Sequence, residues 1–142
     1  MHFSVMLVTL ALAAAQAAPA PMLARLSPLP IDLAMQDTIA GLGAATATLA
    51  GATLTIEGTY QGLKSPATVV RVFDSARPGL RGPLVGEFAA GGGTRGTFKG
   101  TVTLTREQAA AYAKGLLYVQ LHSAKAPDGN LWGWLMAAKG RR

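Results

Sequence analysis

The chain of 142 residues contains no cysteine and only two histidines. Without cysteine, disulfide bonds, thiolate metal sites and cysteine nucleophiles are all excluded, so stability has to come from packing. Acidic residues are also few, 7 in all, and no carboxylate pair or Ser-His-Asp arrangement stands out. The stretch "GGGTRG", from Gly91, lacks the Lys-Ser/Thr of a Walker phosphate loop and indicates a flexible turn. The sequence therefore predicts neither an enzyme nor a resident cofactor.

Long apolar runs are confined to the start of the chain, over residues 3–15. Such a run is too short to cross a bilayer of about 30 Å as a helix, and an A-x-A site ends at Ala17. We predict a signal peptide over residues 1–17, no transmembrane segment after its cleavage, and a periplasmic or secreted protein. The segment before the apolar run has no Lys or Arg, which is typical of a sequence whose true start lies upstream. The alternative to a signal peptide is an uncleaved apolar helix.

Three further segments follow the signal. Residues 18–30 contain four prolines, which keep a backbone out of regular structure, so they predict a flexible leader. Residues 31–138 form the predicted domain, and "KGRR" at residues 139–142 is a basic tail.

Basic residues outnumber acidic ones, 13 to 7, giving a net charge of +6. This charge can attract nucleic acid, anionic lipid or acidic polysaccharide. The bases are scattered, however, and only the tail clusters them, so we expect no specific nucleic-acid binding. A mildly basic solvated surface is the favoured interpretation, and a polyanion or envelope-surface contact is the alternative.

From residue 31 onward, short runs of alternating apolar and polar residues are separated by Gly and Pro turns. They predict strands near "IDLAMQ", "ATATLA", "TLTIEGTY", "ATVVRVFD", "LVGEFA", "TFKGTVTLT", "LLYVQLHS" and "LWGWLMAA". Thr105 with Gln108 forms a capping box, and Gly115 ends one short helix. "APDGN", residues 126–130, is typical of a turn. The expected fold is an all-β, antiparallel Greek-key β-sandwich of about seven to eight strands with one short helix.

The stretches "TATLAGATLTIEGTYQGLKSPATVVRVFD" and "LTREQAAAYAKGLLYVQLHSAKAPDGNLWGWL" closely resemble the CHRD domain, a domain named for its repeats in chordin. The resemblance runs from about Ile31 to Leu135 and implies a single exported bacterial domain. In the family pattern, histidines occupy positions that fall on Arg71, Phe73 and His122 here. A full histidine set could bind copper or zinc, because imidazoles two apart on a strand share a face. With two of three absent, no metal ligand is assigned, and a degenerate metal site remains an alternative.

Arg71, Phe73 and His122 are the candidate ligand-binding residues. Arg71 and His122 can converge if the closing hairpin lies beside the Arg71 strand, and this would suit a carboxylate, sulfate, phosphate or protein contact. The competing interpretation of His122 is a partly exposed histidine that bonds to a loop backbone at the rim.

Trp132 and Trp134 flank Gly133, so both indoles project to one side of a strand. They predict either a core layer, which is favoured, or an aromatic surface able to bind sugar or protein. Taken together, these features predict a non-catalytic binding or interaction module whose partner is a protein or an anionic ligand.

Overall fold

The computed structural model describes residues 20–30 and 32–138. The predicted signal peptide and basic tail lie outside this part of the chain. The strands are β1 Met22–Pro28, β2 Leu42–Ala50, β3 Thr53–Gln61, β4 Ala67–Asp74, β5 Leu84–Ala89, β6 Gly96–Thr103, β7 Leu117–Ser123, β8 Ala126–Trp134 and β9 Met136–Ala137. The helix α1 spans Arg106–Ala113, and a 3-10 helix spans Leu33–Met35. The all-β class with one short helix is therefore confirmed, with nine strands in the described residues.

The strands form a nearly closed, barrel-like sheet in the order β5-β4-β7-β8-β1-β2-β3-β6, and β9 pairs with β1. Every pairing in this order is antiparallel. The end strands β5 and β6 pack on one another, and the Phe88 and Phe98 rings lie 6.3 Å apart there. With that contact, β3 to β6 follow the spatial order 3-6-5-4, which is a Greek key.

Glycines allow the close approach of β5 and β6. A Cβ at Gly100 would lie 2.2 Å from the Phe88 ring, and a Cβ at Gly86 would lie 2.5 Å from a Val102 methyl. Larger residues at these two positions would force the strands apart, because real Cβ atoms do not approach other atoms so closely.

The core fills the inside of the sheet and obeys the period-two alternation. On β3, Leu54 and Ile56 are fully buried while Thr53 and Glu57 face solvent. The other fully buried core residues are contributed mainly by β1, β4, β7 and β8: Leu26, Ala47, Val70, Val72, Leu117, Val119, Leu121, Leu131 and Leu135. The predicted capping box is present at α1, where Thr105 and Gln108 each bond the other's backbone N–H.

The structure corrects the prediction of a flexible leader over residues 18–30. Most of that segment is β1, whose alternate residues Met22, Ala24 and Leu26 enter the core. Its prolines did not prevent this, because Pro21 precedes the strand and Pro28 is its last residue. β1 pairs with β2 through its first part and with β8 through its end, so it joins the two halves of the sheet.

The predicted first strand near residue 31 is also wrong. Asp32 caps the 3-10 helix Leu33–Met35 by accepting a hydrogen bond from the Met35 N–H. A short polar side chain that bonds the backbone three residues on favours a turn over an extended strand. Ile31 itself lies outside the described residues.

Candidate functional site

The candidate residues lie on the outer face of the sheet, on the side opposite the core. Arg71 on β4 lies opposite Gln120 on β7, and Phe73 lies opposite Tyr118. On the other side of β7, Tyr118 lies opposite Trp134 and Gln120 lies opposite Trp132. His122 continues the same face of β7, two residues after Gln120. Arg71 thus lies opposite Gln120, which is next to His122 on this face of β7. Phe73 lies further from His122, opposite Tyr118.

Four rings on this outer face form a connected cluster, which we call the aromatic face: Phe73, Tyr118, Trp132 and Trp134. Tyr118 is buried at its centre, stacked on Phe73 at 4.9 Å and tilted against Trp134 at 4.8 Å between ring centroids. Trp132 meets Trp134 edge-on at 4.9 Å. Phe73 and both tryptophans remain half-buried, so their outer surfaces meet solvent.

Neither tryptophan belongs to the core, although a core layer was the favoured prediction. Leu131, Gly133 and Leu135 take the inner side of the strand instead. A Cβ at Gly133 would lie 2.2 Å from the carbonyl oxygen of Arg25, so the inner side has no space for a larger residue. Trp134 is fixed in place because its indole N–H donates to Ser75 Oγ at 3.0 Å.

Arg71 is not a free cation on this face. Its Nε donates to Glu87 Oε2 at 2.7 Å, and the two side chains keep 37% and 49% of their surface exposed. The guanidinium is therefore already paired with a carboxylate, and this polar ion pair lies beside the aromatic face. The anion contact expected of Arg71 and His122 stays a prediction.

His122 is buried, with 2% of its surface exposed, and this corrects the prediction of a partly exposed rim histidine. The predicted bond to a loop backbone does exist, from ring Nδ1 to the Pro127 carbonyl oxygen at 2.8 Å. The burial arises because residues 126–130 do not form the closing turn. The turn falls at residues 124–125, and residues 127–130 bulge out of β8 opposite His122.

Hydrogen-bond partners define the tautomer of His122. A carbonyl oxygen only accepts, so Nδ1 carries the proton and Nε2 is left as the acceptor. Gln120 Nε2 lies 3.2 Å from His122 Nε2 and also donates to the Asp128 carbonyl oxygen at 2.9 Å. The neutral imidazole is therefore satisfied at both nitrogens. A second proton would face the Gln120 amide group, which is itself a donor.

Electrostatics agree with a neutral ring. Burial lowers the pKa of His122 below its usual 6.5, the backbone bond to Pro127 raises it, and the Arg71 cation lowers it again. The carboxylates of Asp128 and Glu87 act in the raising direction, and the pKa remains lowered.

Asn130 extends this polar network to neighbouring elements. Its amide donates to Ser123 Oγ at 2.9 Å, its Oδ1 accepts from the Ala40 N–H at 3.1 Å, and its backbone carbonyl accepts from the Leu29 N–H at 3.1 Å. Sequence reasoning missed Gln120 and Asn130. The alternation of β7 placed Gln120 on the same face as His122, but alternation does not predict the bulge of β8, whose backbone carbonyls accept the hydrogen bonds of both side chains.

The geometry favours structural roles for these polar groups. Among residues 20–30 and 32–138, no group of three His, Cys, Asp or Glu side chains lies close enough to hold a metal ion. His122 offers no free lone pair either, because Gln120 occupies Nε2. What the outer face presents is a half-exposed aromatic surface bordered by an ion pair.

The aromatic outer face is a surface of the kind that binding and interaction modules present. The chain belongs to the CHRD domain family, whose model matches residues 30–135, about three quarters of the sequence. No curated protein and no solved structure showed significant similarity to the chain. In the described part of the chain, every helix is too short or too polar to span a membrane.

Proposed function

We propose that the chain is a non-catalytic, exported interaction domain that binds a partner protein in the periplasm or outside the cell. The observation that carries the proposal is the aromatic face, where Phe73, Trp132 and Trp134 are half exposed around a buried Tyr118. Membership of the CHRD family supports the general role of interaction module.

The aromatic face has the features of a binding hot spot. Trp, Tyr and Arg are the residues that most often dominate protein interfaces, and large rings contribute most where they are already fixed. Trp134 is held by Ser75, and Phe73 is held by stacking on Tyr118. Little side-chain entropy would therefore be lost on binding. The ion pair of Arg71 and Glu87 supplies a polar border.

Photocrosslinking tests where the partner binds. A p-benzoylphenylalanine is placed at position 132, or at position 42 as the control, in the cells that produce the protein. Leu42 is 57% exposed and lies on β2, away from the aromatic face. We expect a protein adduct from position 132 and none from position 42.

The partner protein found in the adduct is then purified. Its affinity is measured for the original chain and for the Trp132→Ala and Leu42→Ala variants. Trp132 Nε1 makes no hydrogen bond to any residue from 20–30 or 32–138, so its removal leaves no described partner unsatisfied. Loss of a hot-spot ring weakens binding at least tenfold, whereas Leu42→Ala leaves it unchanged. Equal affinity for both variants, or adducts from position 42 alone, would refute the assignment.

An envelope-surface polyanion is the second candidate partner, and the net charge of +6 favours it. Retention on heparin or peptidoglycan should then fall as salt rises, because the attraction is electrostatic. Deletion of residues 139–142 should reduce the retention, and unchanged retention would remove the tail from this function.

A further inference from the structure

A pocket lies between the 3-10 helix region and the bulge of β8, apart from the aromatic face. Leu29, Ile39 and Ala126, all buried, contribute apolar lining, and Met35 lies at the more exposed side. Residues 127–129 of the bulge line another side. The pocket is open to solvent and its cavity volume is about 130 Å³, below the range of about 300–1,000 Å³ for drug-sized sites, so it suits a small ligand. We call it the bulge pocket.

The wall formed by the bulge is fixed from behind. His122 bonds the carbonyl of Pro127, and Gln120 bonds the carbonyl of Asp128. Position 129 favours glycine, because a Cβ there would lie only 2.4 Å from Gln120 Nε2. Asn130 then ties the bulge to the backbone of Leu29, which also lines the pocket, and to the backbone of Ala40, next to the lining residue Ile39. A cavity whose walls are joined in this way is preorganised, so a ligand would lose little affinity to ordering it.

Charge at the bulge pocket favours an anion. Two cations, Arg81 and Lys125, line it together with one acid, Asp128. None of the three forms an ion pair with another residue of the described chain. The buried His122 behind the wall is neutral, so the local sum is one positive charge beside an apolar lining.

We propose that the bulge pocket binds a small amphiphile that carries one carboxylate and a short hydrocarbon chain. The carboxylate lies between Arg81 and Lys125, and the chain packs against Leu29, Ile39 and Met35. His122 and Gln120 are positioning residues for this site, since they hold the backbone of its wall. This gives the polar network a function that does not depend on the partner protein of the aromatic face.

Octanoate is the probe, titrated into the purified full-length chain and followed by amide NMR shifts. We expect saturable shifts at Ile39, Ala126 and Gly129. Acetate lacks the chain and octyl glucoside lacks the charge, so each should bind at least tenfold more weakly than octanoate. Equal binding of octyl glucoside would overturn the assignment of an anionic ligand, and equal binding of acetate would overturn the role of the apolar lining.

Two pairs of matched variants locate the ligand. The double variant Arg81→Gln, Lys125→Gln should weaken octanoate binding at least tenfold. Arg77→Gln is its control, because Arg77 is on the same loop as Arg81 but does not line the pocket, and it should leave octanoate binding unchanged. Met35→Trp narrows the pocket and should also weaken binding. Leu33→Trp is its control, because Leu33 is 85% exposed on the same 3-10 helix and does not line the pocket.

Trp132→Ala separates this site from the aromatic face. The variant should bind octanoate like the original chain even if the partner protein no longer binds. Octanoate shifts centred on Trp132 and Trp134, or binding unaffected by the double Gln variant, would refute the bulge pocket as the site.

Discussion

His122→Ala should lower the free energy of unfolding by about 2–4 kcal/mol, the combined cost of a lost buried ring and of broken buried hydrogen bonds. The substitution removes a buried ring, leaves the Pro127 carbonyl without its donor, and takes from the Gln120 amide one of its two acceptors, the other being the Asp128 carbonyl. An unsatisfied buried polar group costs about 1–3 kcal/mol, and less where the group can reach water, as at the part-buried Pro127 carbonyl. Typical domains have about 5–15 kcal/mol of stability, so the loss should be readily measurable.

His122→Asn is the matched variant. The Asn amide nitrogen occupies about the place of ring Nδ1 and can still donate to the Pro127 carbonyl, but nothing replaces Nε2 as acceptor for Gln120. We expect a smaller loss, about 1–2 kcal/mol. Denaturant unfolding followed by tryptophan fluorescence measures both variants, because Trp132 and Trp134 are half-buried on the same face.

The same titrations across pH test the lowered pKa of His122. The unfolded chain takes up a proton near pH 6.5, while the folded chain takes it up only at lower pH. The histidine's contribution is therefore complete above about pH 6.5 and declines as pH falls through the folded-state pKa. For one proton the slope cannot exceed about 1.4 kcal/mol per pH unit. His122→Asn should remove this part of the decline, while the carboxylates titrate alike in both chains.

Three results would refute this reasoning about His122. The first is a change in unfolding free energy below about 0.5 kcal/mol for His122→Ala, the size usual for surface substitutions. The second is a pH dependence of stability that is identical in the His122→Asn variant. The third is a tight copper or zinc site that His122→Ala abolishes.

Three further changes test the packing by denaturant unfolding. Leu26→Ala should lower the free energy of unfolding by about 2–5 kcal/mol, because the side chain is fully buried. Leu23→Ala, on the exposed side of β1, should lower it little. Equally small effects of both substitutions would support a flexible leader over a core strand. Gly133→Ala should destabilise the domain and lower its melting temperature, since its Cβ would meet the Arg25 carbonyl oxygen at 2.2 Å; an unchanged melting temperature would contradict that close approach. Thr105→Ala should cost about 1 kcal/mol by removing the N-cap, and Thr105→Ser should restore most of it.

Alternation and capping patterns were enough to predict much of the fold. The predicted strand over residues 67–74 matches β4, and Thr105 caps α1 as expected. Both signals are local, because a strand with one buried face shows period two and a capping box needs only four residues. The same alternation placed Arg71, Phe73 and His122 on outward positions of their strands.

Features that depend on distant partners were not predictable in this way. The prolines of residues 18–30 indicated a flexible leader, yet Met22, Ala24 and Leu26 find a core that only the folded sheet provides. The turn residues of "APDGN" were recognised, but they form a bulge inside β8. The turn lies at residues 124–125, just before the predicted turn at 126–130. Because of this difference, residues 127–130 lie opposite His122, and the histidine is buried.

Arg71 and Phe73 stand where the family resemblance implies histidines, and their contacts sharpen the interpretation of His122. Arg71 is paired with Glu87 and Phe73 is stacked on Tyr118, so both positions serve contacts that a metal site would not use. Meanwhile His122 has both ring nitrogens engaged within the protein. A neutral histidine with one donor and one acceptor suits this place because the Pro127 carbonyl accepts, and Gln120 directs its amide nitrogen, a donor, at both His122 Nε2 and the Asp128 carbonyl. The residue therefore joins the outer face of β7 to the backbone of the bulge, whose residues 127–129 line the proposed ligand pocket.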